Sequence, residues 1–209
     1  FYFLSIVDIE APATTYMIWK YFQFLNLTEQ PLEKNIAHPL YVGLVNDTGS
    51  FRYSGVSSDT HIMASHLLLS DINPNKVFQH IYENRSIPKI NLLSKMIENL
   101  QYSQNGKVGY VVIDNHIFKE ANATIEDADG LADFIRSIDG VEVAFSITSY
   151  RNTKVSLRSR GKYVINDIAQ LLGGGGHYYA SGAQIQEIDI DNTISIILKE
   201  LEEKMSNGN

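Results

Sequence analysis

The stretch LLGGGGHYYASGAQI, residues 171–185, places four consecutive glycines between an apolar helical pattern and a short run typical of a strand. Glycine inside a regular element costs roughly 0.5–1 kcal/mol relative to alanine, so such a run is either slack or a point of close approach to the backbone. The first glycine, Gly173, would close the preceding helix, because glycine readily adopts the left-handed conformation found at helix ends. Three glycines remain to be explained.

The elements around this stretch predict a small mixed sheet with helices. Two β-rich runs, residues 141–150 and 153–160, are separated only by the dipeptide Arg-Asn, which indicates a hairpin. The other elements predicted in the second half are strands at 107–113 and 180–185 and helices at 127–138, 165–172 and 192–205.

The first half shows mainly helical spacing of apolar residues. Helices are predicted at 13–24, 58–70 and 73–84. Ser58 or Asp59 would cap the second of these helices, and Asn73 the third. The run LYVGLV, residues 40–45, is short and rich in β-formers, so it predicts a buried strand followed by a loop at NDTGS.

These patterns together predict an α/β fold in two domains. Residues 1–85 would be the remainder of a parallel-sheet domain, residues 86–104 a linker helix, and residues 105–209 a smaller mixed-sheet α/β domain. The chain does not begin with Met, and residues 1–8 have the pattern of the middle of a strand. We therefore expect the chain to be the rear part of a longer protein.

Composition narrows the chemistry that the chain can carry. The 209 residues are 44% hydrophobic and 20% charged, as in ordinary globular proteins, and include no cysteine. Disulfides, thiolate metal sites and a cysteine nucleophile are thereby excluded, and any metal must be held by Asp, Glu or His. The net charge of −7 argues against binding of long duplex nucleic acid. No run is long enough to span a membrane and the start lacks a signal peptide, so we expect a cytoplasmic protein.

A local basic stripe contrasts with this acidic background. On a strand over residues 153–160, the side chains of Lys154, Ser156, Arg158 and Arg160 share one face, while Val155 and its apolar neighbour two residues on share the other. Arg158 could hold a phosphate through its two-pronged guanidinium. The alternative is an ordinary solvated strand face.

The glycine run and the histidine after it could complete such a phosphate site. Backbone amides of Gly174, Gly175 and Gly176 have no side chains around them and can curl into an anion-binding nest. His177 could then donate a hydrogen bond to a phosphate oxygen or to the group being cleaved. The alternatives are a flexible turn and a histidine without a function.

Three segments together resemble the DHH phosphoesterase family, namely VSLRSR (155–160), INDIAQLLGGGGHYYASGAQI (165–185) and YVGLVNDTGSFRYSGVSSDTHIMASHLL (41–68). The similarity is closest to its branch of nano-RNases, oligoribonucleases that also act as phosphatases on 3′-phosphoadenosine 5′-phosphate. It extends to IVDIEAPATTYMIW, residues 6–19, and so covers nearly the whole chain.

The resemblance implies roles for particular residues. Asp47 matches a metal ligand of the family's two-manganese (Mn²⁺) centre and would be catalytic together with His177. The loop of Gly174, Gly175, Gly176 and His177 matches the family's nucleotide- and phosphate-binding loop. The remaining implied substrate contacts are Arg158 with Ser156 beside it, Asn166 at the border of the same cleft, and Arg52 close to Asp47 in sequence.

The sequence also departs from the family pattern. The Asp-x-Asp, further aspartate and Asp-His-His motifs that supply most metal ligands are absent. Asp114–His116 and Asp127–Gly130 imitate them, but we interpret the first as a turn at a strand end and the second as a helix start. A single Asp47 cannot hold two metals, so the chain alone is expected to be inactive and the longer parent protein active.

The resulting functional hypothesis is a manganese-dependent phosphoesterase. Its partners would be short oligoribonucleotides or nucleotide phosphates such as 3′,5′-bisphosphates, with no long duplex and no membrane for this segment, and a homodimer is left open. Hydrolysis of cyclic dinucleotides or of pyro- and polyphosphate is an alternative within the family. A binding module without a metal centre is the alternative of a different class.

Overall fold

The computed structural model describes residues 7–150, 152–185 and 189–207. It divides the chain into two compact units, residues 1–84 and 85–209. Most of the strand expected at residues 1–8 lies outside the described residues, and residues 7 and 8 belong to no strand. The α/β fold class is confirmed, with all strands of the described chain in the second unit.

The described part of the first unit is built from four helices, α1 (Thr14–Phe24), α2 (Lys34–Asp47), α3 (Ser58–Leu68) and α4 (Pro74–Tyr82). Their apolar faces meet in one core, which includes Trp19, Leu44, Met63 and Leu67. The three helices predicted from apolar spacing are confirmed. Among the described residues, no helix has both the length and the apolar content needed to cross a membrane.

The strand predicted at residues 40–45 is wrong, because this run lies inside α2. Buried positions of α2 include Ala37, Leu40, Tyr41 and Leu44, which is the spacing of one helix face. The six-residue window was too short to show that period, and packing against α1 and α3 overrides the β-preference of its residues. The helix even accommodates Pro39 in its interior.

Helix starts follow their capping residues. Asn73 caps α4 as predicted, its side-chain oxygen accepting a hydrogen bond from the amide of Lys76 at 3.1 Å. Helix α3 begins at Ser58, as the predicted range has it, but its cap is Ser57 and not Ser58 or Asp59. Helix α5 (Ile87–Glu98) starts after Ser86 and belongs to the second unit.

The second unit contains a six-stranded mixed sheet in the order β1-β2-β3-β4-β6-β5. Its strands are β1 (Gln101–Ser103), β2 (Val108–Ile113), β3 (Val143–Ser149), β4 (Thr153–Ser159), β5 (Gly175–His177) and β6 (Ala180–Ile185). Only the β2–β3 pair is parallel within this sheet of described residues. The predicted hairpin is confirmed as the antiparallel β3–β4 pair, although Arg151 in its turn lies outside the described residues.

Helices cover the two faces of the sheet unequally. The helices added here are α6 (Asn115–Glu120), α7 (Leu131–Arg136), α8 (Asn166–Leu171) and α9 (Ile190–Asn207). On one face, Phe145 of β3 and Leu157 of β4 pack with Ile168 of α8 and Ile197 of α9. On the other face, the core under α5, α6 and α7 includes residues of β2 and β3, and its described members include none from β4, β5 or β6. This second face therefore carries no described apolar core over β4, β5 and β6, although α7 contacts β4, and we call this region the open half-face.

Candidate substrate-binding site

The open half-face has a floor of small residues bordered by polar ones. Directly paired residues on neighbouring strands point to the same side of a sheet, so the strand register places side chains in rows. The two central rows are Ser156–Gly182–Gly175 and Arg158–Ala180–His177. A third row pairs Lys154 with Gln184. The predicted division of β4 is confirmed, since Val155 and Leu157 are buried on the opposite face.

A cavity of about 520 Å³ lies over part of this floor. Of the residues predicted to bind substrate, Ser156, Arg158 and Gly174 line it together. Residues 128–133, which lead into α7, line it as well. His177 and Asn166 are not part of this lining. The fold thus brings three of the predicted residues to one concave surface within the second unit.

The start of the glycine run closes α8. Gly173 has φ +77°, and its amide donates to the carbonyl of Gln170 at 2.9 Å. The amide of Gly174 donates to the carbonyl of Ala169 at 2.8 Å, which completes a Schellman motif. The predicted helix-closing role of Gly173 is confirmed. The amide of Gly174 is thereby used within the fold, so it is not a free donor for a nest.

Two further glycines are required by close approach of strand β6. A Cβ atom at Gly174 would lie 2.1 Å from the carbonyl oxygen of Gly182. At Gly176, φ is +136° and a Cβ would lie 2.7 Å from the Cα of Ser181. At Gly175, by contrast, a Cβ would meet nothing within 4 Å. Close approach to the backbone therefore explains two of the four glycines, and closure of α8 explains Gly173.

Arg158 is held by a carboxylate at the edge of the cavity. Its Nε donates to Oδ2 of Asp133 at 2.9 Å, and its Nη1 donates to the carbonyl of Leu157 at 2.9 Å. Asp133 also contacts Arg136, with 3.4 Å between Oδ1 and Nη2. The Arg158 side chain is 28% exposed. This arrangement fixes the guanidinium while its Nη2 has no recorded partner in the described chain.

The basic stripe is consequently less positive than the sequence indicates. Lys154 pairs with Asp129 at 3.1 Å, and Arg158 pairs with Asp133. Arg160 donates to the backbone carbonyls of residues 136 and 138. Sequence reasoning missed both aspartates, since each lies 25 residues from its cation and only the tertiary fold brings them together.

His177 and Asn166 do not line this cavity. His177 is the last residue of β5, in the same row of the sheet as Ala180 and Arg158, and its exposed side chain makes no hydrogen bond or ion pair with the described residues. Asn166 begins α8, the helix that packs on the opposite face of the sheet, and is half-buried. Their predicted roles remain predictions.

Asp47 and Arg52 belong to the first unit, which is described by itself. Asp47 is the exposed last residue of α2, so the placement of this carboxylate at a strand end is wrong. Its Oδ1 accepts from the side-chain amide of Asn46 at 3.1 Å. Arg52 donates through Nε to the carbonyl of Gly49 at 2.7 Å. A carboxylate at the negative end of a helix dipole is unfavourable alone and favours a nearby cation.

The loop after Asp47 is strained. Gly49, Ser50 and Phe51 have φ values of 56°, 58° and 63°, so three consecutive residues are left-handed. Two of them are not glycine, and such residues cost of order 1–3 kcal/mol each unless the surroundings impose them. The loop is held by hydrogen bonds to Thr48, whose Oγ1 accepts from the Phe51 amide at 3.1 Å. Sequence reasoning did not identify this strain.

A two-metal centre does not fit the described residues by themselves. Within residues 7–150, 152–185 and 189–207, no group of three or more His, Asp or Glu side chains could hold a metal ion. Asp47 would supply a single carboxylate ligand. Besides Asp47, the described residues thus bring no ligand group together for such a centre.

The aspartates of the two segments that resemble metal-binding motifs, Asp114–His116 and Asp127–Gly130, have structural roles. Asp114 caps α6, accepting from the amides of residues 116 and 117 at 2.9 Å each. Asp127 accepts from the amide of Thr124 at 2.9 Å and from the hydroxyl of Ser86 at 2.7 Å. The Thr124 amide, and then the Ser86 hydroxyl, lower the pKa of Asp127. Asp127–Gly130 does not start a helix at Asp127 as interpreted: Asp127 and Ala128 end a short 3₁₀ helix (Ile125–Ala128), and α7 begins after Gly130. Asp114 begins a helix rather than a simple turn.

Comparison with known proteins finds a family that matches the part of the chain containing this site. The DHHA1 domain family matches residues 105–207. Bifunctional oligoribonuclease and PAP phosphatase NrnA of Thermus thermophilus is 28% identical over 97% of the chain, which spans 60% of that relative. Cyclic-di-AMP phosphodiesterase PdeA of Listeria monocytogenes is 29% identical over 90% of the chain and 27% of its own length.

A solved structure shares the fold. The crystal structure of an exopolyphosphatase-related protein from Bacteroides fragilis superposes with a TM-score of 0.86 at 21% identity, covering 96% of this chain and 59% of that one. The open half-face and the glycine run lie inside the matched DHHA1 region. Residues 105–207 therefore form a DHHA1 domain, the C-terminal region of DHH-family proteins, and along nearly its whole length the chain is similar to relatives that are named as hydrolases of phosphate esters.

Proposed function

We propose that this protein acts in the hydrolysis of phosphoesters in short oligoribonucleotides and in 3′,5′-bisphosphate nucleotides. In this proposal the floor of the second unit holds the substrate. The observation that carries it is the cavity over Ser156 and Gly182, where one guanidinium, that of Arg158, is fixed at the border with an unused Nη2. The likeness to the NrnA protein of Thermus thermophilus supports the substrate class.

The shape of the floor suits a nucleotide phosphate. Gly182 and Ala180 present little side chain, so a ligand can approach the sheet backbone closely. Arg158 can add a charge-assisted hydrogen bond to a phosphate oxygen, and Ser156 can contribute a hydroxyl. Asp133 keeps the guanidinium oriented, which lowers the entropy lost when the phosphate binds.

The proposal also includes catalysis. Asp47 would be one ligand of manganese, which when bound would activate the attacking water. Because the described residues offer no further ligand group, we expect the 209-residue chain to bind substrate without hydrolysing it.

The test is binding of an RNA dinucleotide to Arg158→Ala, measured by calorimetry. Loss of a hydrogen bond to a charged group is worth about 1.5–3 kcal/mol, so affinity should fall about 10- to 150-fold. Arg160→Ala is the matched control, since Arg160 bonds to backbone carbonyls and is not part of the cavity lining. Equal affinities of the Arg158 variant and the unaltered chain would contradict the proposal.

A cyclic dinucleotide is the second candidate substrate, favoured by the likeness to the PdeA protein of Listeria monocytogenes. Both ligands carry phosphodiesters that Arg158 could hold. Comparing the affinities for a linear and a cyclic dinucleotide of the same bases separates the two. Tighter binding of the cyclic ligand would replace the leading proposal.

A further inference from the structure

Two adjacent tyrosines are exposed at the turn between β5 and β6. Tyr178 is 66% exposed and Tyr179 is 43% exposed. Their rings meet edge to face, with centroids 6.5 Å apart and planes at 66°. Large aromatic side chains gain stability by burying their surface, and Tyr178 is the most exposed tyrosine among the described residues.

The backbone beneath these rings is fixed. The carbonyl of Tyr178 accepts a hydrogen bond from the amide of Ile165 at 2.8 Å. The carbonyl of Tyr179 accepts one from the amide of Ser159 at 2.9 Å. These two hydrogen bonds anchor the turn to Ile165, just before α8, and to Ser159, at the end of β4. Rings on an anchored turn are partly ordered before a ligand arrives, which reduces the entropy cost of contact.

The turn continues one row of the candidate site. Arg158 pairs with Ala180, and Ala180 pairs with His177, the residue just before Tyr178. Neighbouring strands lie about 4.8 Å apart, so the strand of His177 is roughly 10 Å from that of Arg158. Proteins that bind single-stranded nucleic acid combine a cationic contact to the backbone with aromatic rings on which bases stack.

We propose that Tyr178 and Tyr179 form a stacking platform for a base of the nucleotide ligand whose phosphate binds at Arg158. The inference rests on the proposed function and deepens it, because it assigns a base-binding site to residues outside the cavity lining. Stacking accepts any base, since every base has a π-face, so this site favours nucleotides over inorganic phosphates without selecting a sequence.

A second copy of the chain fits this surface less well. Each tyrosine buries at most about 150–250 Å², so two provide about 300–500 Å². A stable interface needs about 800 Å² on each partner. A single base needs only the face of one ring.

The experiment compares two ligands of equal charge, an RNA dinucleotide and the same ribose-phosphate backbone without bases, with metal omitted. Tyr178→Ala, Tyr179→Ala and the double variant are titrated with each by calorimetry. Stacking predicts that affinity for the base-bearing ligand falls about 5- to 150-fold in the variant that removes the stacked ring, while affinity for the abasic ligand is unchanged. The phenylalanine variants Tyr178→Phe and Tyr179→Phe keep both rings and should match the unaltered chain.

The outcomes separate this inference from the function on which it rests. Unchanged dinucleotide affinity in the double alanine variant overturns the platform alone, provided that Arg158→Ala still weakens both ligands. Equal losses for both ligands also overturn it, because they indicate a general disturbance of the site. A change of oligomeric state in sedimentation without a selective loss of base binding assigns the tyrosines to self-association instead. If neither ligand binds the unaltered chain, the proposed function fails and the platform fails with it.

Discussion

Replacing Gly174 with alanine tests whether the glycine run is required by packing. The new Cβ would lie 2.1 Å from the carbonyl oxygen of Gly182 and 2.5 Å from the Cα of Ala183. Both neighbours are backbone atoms of β6, which cannot rotate away as a flexible side chain would. Strand β5 must therefore move, and the hydrogen bond from the Gly174 amide to the carbonyl of Ala169 at 2.8 Å moves with it.

The magnitude follows from these two effects. Overpacking costs typically 1–3 kcal/mol, and a lost intramolecular hydrogen bond about 0.5–1.5 kcal/mol. We expect the free energy of unfolding to fall by about 2–4 kcal/mol, which is roughly 30- to 700-fold in the folding equilibrium. Gly175→Ala is the matched control, because a Cβ there meets nothing within 4 Å and its effect should stay within about 0.5 kcal/mol.

Urea unfolding of the 209-residue chain measures the difference, and dinucleotide titration provides a second readout. If β5 detaches locally instead of destabilising the whole unit, the loss of stability will be smaller. Gly174→Ala will then bind a dinucleotide more weakly than the unaltered chain does. A Gly174→Ala chain that matches Gly175→Ala in stability and the unaltered chain in affinity would refute the packing explanation.

Two further predictions concern stability. Asn73→Ala removes the cap of α4 and should cost about 1 kcal/mol in urea unfolding, while Asn75→Ala in the first turn of the same helix should not; equal costs would argue against capping. The carboxyl of Asp127 has its pKa lowered below 3.8, so its stabilising contribution is present above that pH and is lost as pH falls through the folded-state pKa. Asp127→Asn should therefore be less stable than the unaltered chain at pH 7, with the gap narrowing below about pH 4, whereas a constant gap at all pH values would contradict this linkage. Asp139→Asn, at an exposed position, serves as its control.

Local signals made most of the second unit predictable. The run at 153–160 alternates buried and exposed side chains, and β4 is observed at Thr153–Ser159. Strand β3, on the other side of the Arg-Asn dipeptide, was also predictable, because a hairpin is specified by a few residues that are close together in sequence. Strand β1, of three residues, and helix α6, of six, were missed since neither is long enough to show a period.

The features that could not be predicted depend on contacts between residues that are distant in sequence. The run at 40–45 has the composition of a strand, and its helical state is decided by α1 and α3. The face carrying Lys154 and Arg158 could be predicted from alternation, whereas its neutralisation by Asp129 and Asp133 could not. Likewise the glycines indicated close approach without showing that β6 is the neighbour.

Strand β5 ends the sheet on one side, so in the described chain its outer backbone groups face no further strand. Long, flat outer strands invite pairing with other chains and lead to aggregation. This strand is three residues long, includes two glycines and has Gly176 in a conformation that departs from a regular strand. A nucleotide-sized surface can thus stay uncovered at the margin of the sheet without offering other polypeptides a template.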